Sequence, residues 1–247
     1  MIPYILQHPD FALGNFINLT PAIRWLAERL PEEDEGKVPV YFSTDYVREC
    51  FLDCDFIHHL DSMPDYDPAF SSCLINQSND RPDFQHAFNV LTGQNWQLKY
   101  HTYVDSPMPN QIGHVLIING SGSDDPKYIY QKYVGPEPYE YVCKIGRRRK
   151  IIACGSYSDM DRSPYMARLA HEGVWGNMRH TLSLIAGARC IIANDTGLAH
   201  AAGAMNKPLL VLWKNTPRER CKNAGTLTEY SYENHEENIQ RFLEKYL

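Results

Sequence analysis

The run Asn194-Asp-Thr-Gly-Leu198 brings together residue types that suit an anion. Ile191-Ile-Ala-Asn194 reads as a strand, and Leu198-Ala-His-Ala-Ala-Gly-Ala204 as a helix of small residues. A strand-to-helix turn of this kind aims free amides and a helix dipole at one point, where a phosphate would sit. The Thr196 hydroxyl adds a donor. The plainer reading is N-capping by Asp195 or Thr196, with the small residues serving close packing. Three further turns follow strands: Ala12–Phe16, Gly120-Ser-Gly-Ser123 and Gly155-Ser-Tyr-Ser158. None is a Walker A sequence or a GxGxxG fingerprint. Lys127 and Lys132 lie downstream of Gly120, where they reach a diphosphate or stay solvated. His200, on the small-residue helix, contacts ligand or makes a core hydrogen bond.

The elements that must position these turns are short apolar runs alternating with amphipathic segments. Strands are expected at Met1–Leu6, Val38–Ser43, Asp55–His59 and Ser72–Asn76, with helices at Leu19–Leu30, Asp45–Leu52 and Phe84–Leu91. In the first helix, Thr20-Pro21 is read as the start, a position that tolerates Pro. Ser106–Gly113, rich in Pro and polar residues, reads as a linker. Strands then recur at His114–Asn119, Lys150–Cys154, Cys190–Ala193 and Pro208–Trp213. Helices are expected from Ser163-Pro164 to about Ala170, at Thr181–Ala188, at Gly197–Met205 and at Asn234–Leu247. This is α/β alternation interrupted once, hence two domains of similar size. Ligands of such sheets bind beyond the carboxyl ends of the strands.

Composition narrows the class. A 247-residue chain with 43% hydrophobic and 22% charged residues is folded rather than disordered. A net charge of −6 disfavours a broad grip on nucleic acid or an anionic membrane. No run approaches a membrane span, and the first residues lack the pattern of a signal peptide. Seven Cys without a CxxC pair suggest small core residues in a reducing cytoplasm. Asp-x-Asp pairs at Asp53/Asp55, Asp65/Asp67 and Asp159/Asp161 read as solvated turns rather than a metal site. No GxSxG elbow supports a hydrolase triad. The basic cluster Arg147-Arg-Arg-Lys150, with Arg218, Arg220 and Lys222, leaves a nucleic-acid acceptor open as a minor alternative.

Gly14-Asn-Phe-Ile-Asn-Leu-Thr-Pro-Ala-Ile-Arg-Trp-Leu26 resembles the N-terminal signature of the heptosyltransferase-like glycosyltransferases, glycosyltransferase family 9. Asn194-Asp-Thr-Gly-Leu-Ala-His200, with Ala201–Ala204, Lys207-Pro208 and Val211-Leu-Trp213, resembles their C-terminal signature. The resemblance implies an α/β, GT-B-like fold: two Rossmann-like domains with parallel sheets facing an interdomain cleft. Its expected parts are an acceptor-side domain over 1–108, a nucleotide-sugar-binding domain over 109–232 and a C-terminal helix over 233–247. The implied activity is inverting, metal-independent transfer of a sugar from a nucleotide-diphosphate sugar to an acceptor hydroxyl on a small molecule or glycan, with no cofactor.

By the same resemblance, the donor diphosphate is held by Asp195, Thr196, Gly197 and Leu198, followed by His200. Gly120, Ser121, Gly155 and either Lys127 or Lys132 assist, and Asp159 or Asp161 holds the ribose. One position departs. The family has Gly-Asp where this chain has Gly14-Asn15, and that Asp is taken as the base that removes the acceptor proton. Asn has no useful proton affinity. Asp10 or His8, at the end of the first strand, then serves as base, or the acceptor needs little base help, or the protein binds a nucleotide sugar without transferring it.

Overall fold

The structure is a computed structural model that describes residues 5–7, 13–30, 35–63, 102–121, 126–215 and 225–247. The strand expected at 72–76, the helix expected at 84–91, the Asp65/Asp67 pair and Arg218, Arg220 and Lys222 lie outside these residues. The chain divides into two compact units, Met1–Asp105 and a second formed by Ser106–Arg218 with Asn223–Leu247.

In the first unit β1 (Ile5–Gln7), β2 (Val38–Phe42) and β3 (Ile57–Leu60) form a parallel sheet in the order β1-β2-β3. Helix α1 (Leu13–Ala27) follows β1, and the short α2 (Asp45–Arg48) follows β2. Helix α1 starts six residues earlier than the sequence suggests and carries Pro21 in its interior. Two physical facts explain the difference. Leu13, Phe16, Ile17, Leu19, Ala22, Ile23 and Ala27 are all buried, so apolar burial outweighs the turn preference of Gly14-Asn15. Pro21 lacks the N–H that would reach the Ile17 carbonyl, and the Thr20 hydroxyl donates to that carbonyl instead, at 2.7 Å. The same hydroxyl oxygen accepts the Tyr103 N–H at 2.7 Å. The Phe16 ring meets those of Phe42 and Phe51 at centroid distances of 5.0 and 4.9 Å.

The second unit contains β4 (Val115–Ile118), β5 (Ile151–Gly155), β6 (Glu172–Trp175), β7 (Cys190–Asn194), β8 (Leu209–Leu212) and β9 (Thr228–Ser231). All pair in parallel, in the order β6-β5-β4-β7-β8-β9. The inner strands β4, β5, β7 and β8 are buried at every residue, as expected where helices cover both faces of a parallel sheet. Helices α3 (Pro126–Lys132), α4 (Pro136–Ile145), α5 (Tyr157–Arg162), α6 (Pro164–Leu169), α7 (Met178–Gly187), α8 (Gly197–Ala204) and α9 (His235–Tyr246) complete the unit. One core joins Val115, Ile117, Ile151, Ile192, Leu210 and Leu212 of the sheet to Tyr139 and Val142 of α4, Met166 of α6, and Ile239 and Phe242 of α9. The alternate strand residues Leu116, Ile118, Ile152, Ile191 and Val211 are equally buried. Helix α8 packs on β7 and β8, and α7 on α8 and β6.

Ser106–Gly113 is tied to the second unit rather than left loose. Ser183 Oγ accepts the Asn110 N–H and donates to the Met108 carbonyl, and the Gly113 N–H donates to the Gly187 carbonyl. Lys150 Nζ reaches both Gln111 Oε1 (2.6 Å) and Glu172 Oε2 (2.5 Å). A side chain at Gly187 would collide with the Gln111 carbonyl, so the approach needs glycine there. Among the described residues no helix is long and apolar enough to cross a membrane.

Replacing the buried Thr20 hydroxyl should expose the defect that Pro21 leaves. Thr20→Val is expected to lower stability by about 1–3 kcal/mol in urea unfolding, because two backbone groups lose their partner. Thr20→Ser should recover most of the loss. Equal stability of the Val variant and the parent would show that the hydroxyl does not replace the missing N–H.

Candidate functional site

The strand order reverses between β4 and β7, and the carboxyl ends of these neighbours form the switch point at which open α/β sheets bind ligands. Asn194, the last residue of β7, is fully buried and binds the turn after β4 through both ends of its amide. Its Oδ1 accepts the Gly120 N–H at 3.0 Å, and its Nδ2 donates to the Gly120 carbonyl at 2.6 Å and to the Lys132 carbonyl at 3.0 Å. Asn119 does similar work one turn away. Its Nδ2 donates to the Val134 carbonyl, Ser163 Oγ and Tyr165 Oη, and its Oδ1 accepts the Val134 N–H. The end of α3 is thus fixed to the ends of β4 and β7, and with it Lys132.

Asp159 occupies the third strand end. Its carboxylate accepts from the Ser121 N–H, the Tyr133 hydroxyl, the Ser156 N–H and Ser156 Oγ. Ser156 Oγ accepts the Asp159 N–H in return, which makes a capping box at the start of α5. A side chain at Gly120 would meet the Asp159 carboxylate at 2.8 Å. The amides of Gly120 and Ser121 are therefore occupied by the protein's own side chains. Asp161, on the same helix, is exposed.

The turn after β7 differs. Thr196 is the extended residue before α8, with φ −138° and ψ 163°, and its side chain makes no capping bond. Its carbonyl accepts the Ala199 and His200 N–H groups at 3.0 and 3.3 Å. The N–H groups of Thr196, Gly197 and Leu198 have no partner among the described residues. From Cys190 to Gly203 only Gly197 is partly exposed, so these donors open to solvent at one place. Lys132 Nζ lies 3.5 Å from Asp195 Oδ2, with the Asp195 side chain 8% exposed and that of Lys132 23%. Lys214 Nζ donates to the Tyr133 carbonyl at 2.9 Å.

His200, in the first turns of α8, is 6% exposed, and its Nδ1 has no hydrogen-bond partner among the described residues. Burial pushes its pKa down to about 4; the Asp195 charge pulls it up and the Lys132 charge pulls it further down. The ring is neutral near pH 7, so Lys132 and the helix dipole, not His200, supply positive charge beside this turn.

The structure thus brings Gly120, Ser121, Lys132, Gly155, Asp159, Asp195, Thr196, Gly197, Leu198 and His200 to one edge of the second unit. Lys127 lies within α3, and Asn15 lies in the first turn of α1. His8 and Asp10 fall outside the described residues. The cluster Arg147–Lys150 precedes β5, at the opposite edge, with Arg147 and Arg148 exposed. Among the described residues no group of three His, Cys, Asp or Glu side chains could hold a metal ion. Sequence reasoning missed the work of Asn119 and Asn194. Their signal was available: an amide side chain directly after a run of buried aliphatic residues needs a local backbone partner.

His200 ties stability to pH. Its proton is taken up in the unfolded chain as pH falls below 6.5, but in the folded chain only near 4. Stability present at neutral pH is therefore lost over that interval. Urea midpoints compared at neutral pH and at about pH 5 should drop further for the parent than for His200→Gln. Parallel loss in both would remove His200 as the cause.

Residues 176–245 match the family model described as glycosyltransferase family 9 (heptosyltransferase). Solved structures with similar folds include the Escherichia coli heptosyltransferase WaaC with ADP, with TM-score 0.71, 13% identity and coverage of 100% of both chains. E. coli ADP-heptose lps heptosyltransferase II follows at TM-score 0.63 and 12% identity, covering 99% of this chain and 97% of its own. A glycosyl transferase family 9 protein of Veillonella parvula has TM-score 0.57 and 11% identity, covering 99% and 90%. At these identities the likeness is one of fold. No curated protein matches the chain. The family match lies on the segment that carries α7, β7, α8, β8, β9 and most of α9, and the fold of these solved glycosyltransferases is shared along the chain.

Proposed function

We propose that this protein transfers a sugar from a nucleotide-diphosphate sugar to an acceptor hydroxyl. The observation that carries the reading is the unpartnered amide set of Thr196, Gly197 and Leu198 at the switch point, beside Lys132. The diphosphate lies against these amides, and Lys132 Nζ shifts from Asp195 toward it. Asp195 is then free to accept hydrogen bonds from the donor sugar. The structure with ADP among the similar folds supports a nucleoside diphosphate as the product left behind.

In the reaction the acceptor oxygen attacks the anomeric carbon from the side opposite the diphosphate. The bond from that carbon to the phosphate oxygen breaks, and the configuration inverts. Charge grows on the leaving diphosphate, where fixed amides stabilise it without having to reorient. The acceptor proton passes to a base from the segment after β1, Asp10 or His8, because Asn15 cannot take it. A second reading, nucleotide-sugar binding without transfer, is favoured by one observation, the Asn at position 15. The acceptor is a small molecule or glycan.

Gly197→Pro tests the carrying observation. Proline suits the first position of a helix, and the extended Thr196 before it is compatible with a following proline. The substitution therefore deletes one amide donor and leaves the helix start in place. Calorimetric affinity for ADP, UDP and inorganic pyrophosphate should fall roughly ten- to a hundred-fold, with little change in thermal midpoint. Unchanged affinity in a folded variant would remove the anion role of this turn. Product formation by the parent with a nucleotide sugar separates transfer from binding alone.

A further inference from the structure

The turn after β5 is rich in small residues, yet Ser156 within it keeps no donor for an anion. The Ser156 N–H and Oγ both go to Asp159, as described above. The small residues have another use. Two aromatic side chains at the ends of β5 and β6 are each seated on glycine. The Trp175 ring lies over Gly155 and Gly173: side chains there would come within 3.3 and 2.6 Å of the indole. The Tyr157 ring lies on Gly176, where any side chain would overlap it. Gly176 has φ +69°, a backbone region that other residues rarely adopt, and its N–H donates to the Gly155 carbonyl at 3.0 Å. Tyr157 is nevertheless 64% exposed. The result is an aromatic side chain held against rigid backbone on one side and open to solvent on the other.

Its position relative to α8 is set by the strand order. From β7 the edge runs through β4 and β5 to β6. At about 4.8 Å per strand the β5 and β6 ends lie roughly 10–14 Å from the β7 end. That span matches the reach of a nucleoside diphosphate from its terminal phosphate to its base. We infer that Tyr157, seated on Gly176, is the side chain on which the base of the nucleotide stacks. The inference rests on the diphosphate reading of the α8 turn. It also sets the direction of the ligand. With the base over β5 and β6, the sugar on the terminal phosphate points the other way, toward β8 and Lys214. Stacking accepts any base, so Tyr157 supplies affinity for the nucleoside rather than a choice among bases.

Calorimetry with ADP, UDP and inorganic pyrophosphate, on the parent, Tyr157→Ala and Tyr157→Phe, tests this. The parent should bind both nucleotides more tightly than pyrophosphate. Tyr157→Ala should weaken ADP and UDP about ten-fold and leave pyrophosphate unchanged, and Tyr157→Phe should behave as the parent. If Tyr157→Ala binds ADP as the parent does, or loses pyrophosphate to the same degree, the stacking role is overturned while the diphosphate reading stands. If the parent binds neither pyrophosphate nor nucleotide, both fall together. Gly176→Ala, which displaces the ring without deleting it, should reproduce the Tyr157→Ala pattern; parent-like affinity there would also count against the seat.

Discussion

Where a parallel sheet stops, its last amides and carbonyls lose their ladder partners, and burial makes each unpaired group expensive by about 1–3 kcal/mol. The carboxyl edge of the second unit answers this with side chains. Asn194 and Asn119 supply amides that both donate and accept, and Asp159 collects the remaining donors. Together they satisfy the Gly120 and Ser121 amides after β4 and the Ser156 donors after β5. The turn into α8 is left with donors unassigned, although the Gly120 and Ser121 amides of the neighbouring turn after β4 are satisfied. A free amide set in an otherwise settled edge has a ligand-sized meaning that the same amides on a solvated loop would lack.

The electrostatics follow from that arrangement. Lys132 is held through its backbone by Asn194, so its ammonium group stands beside Asp195 without a full hydrogen bond to it. A 3.5 Å ion pair, mostly buried, is stabilised by charge rather than by geometry and can yield to a stronger anion. His200 adds no charge because burial keeps it neutral. The positive potential beside the turn comes from the Lys132 ammonium group and one helix terminus, with the Lys214 ammonium group bound to the neighbouring Tyr133 carbonyl. An incoming diphosphate has few competing partners to displace.

Much of this was legible in the residues. The inner strands announce themselves as unbroken aliphatic runs, Val115–Ile118 and Leu209–Leu212 among them, and the small-residue helix after Asn194 marks the turn that matters. The elements that stayed hidden did so for physical reasons. Strands β6 and β9, Glu172-Gly-Val-Trp175 and Thr228-Glu-Tyr-Ser231, lie at the sheet edges, are only partly buried and carry no apolar run. Helix α1 reads shorter in the sequence because Gly14-Asn15 and Pro21 signal breaks locally, whereas the burial of Phe16, Ile17 and Ile23 and the Thr20 hydroxyl decide the matter through tertiary contacts. Small residues after a strand were also ambiguous. Around Gly120 they make room for a carboxylate, and around Gly155 and Gly176 for aromatic rings; sequence spacing alone does not distinguish these uses from a phosphate cradle.

The polarity that hid the edge strands has its own effect on how molecules of this protein behave toward one another. Each border of the six-stranded sheet is a four-residue strand bearing a glutamate that an ammonium group neutralises: Glu172 by Lys150, Glu229 by Lys245. A stray polypeptide adding itself to either border would have to strip or bury these pairs while gaining only a short row of new bonds. The sheet is therefore self-limiting in width, and the unfinished backbone at its flanks is a poor template for aggregation.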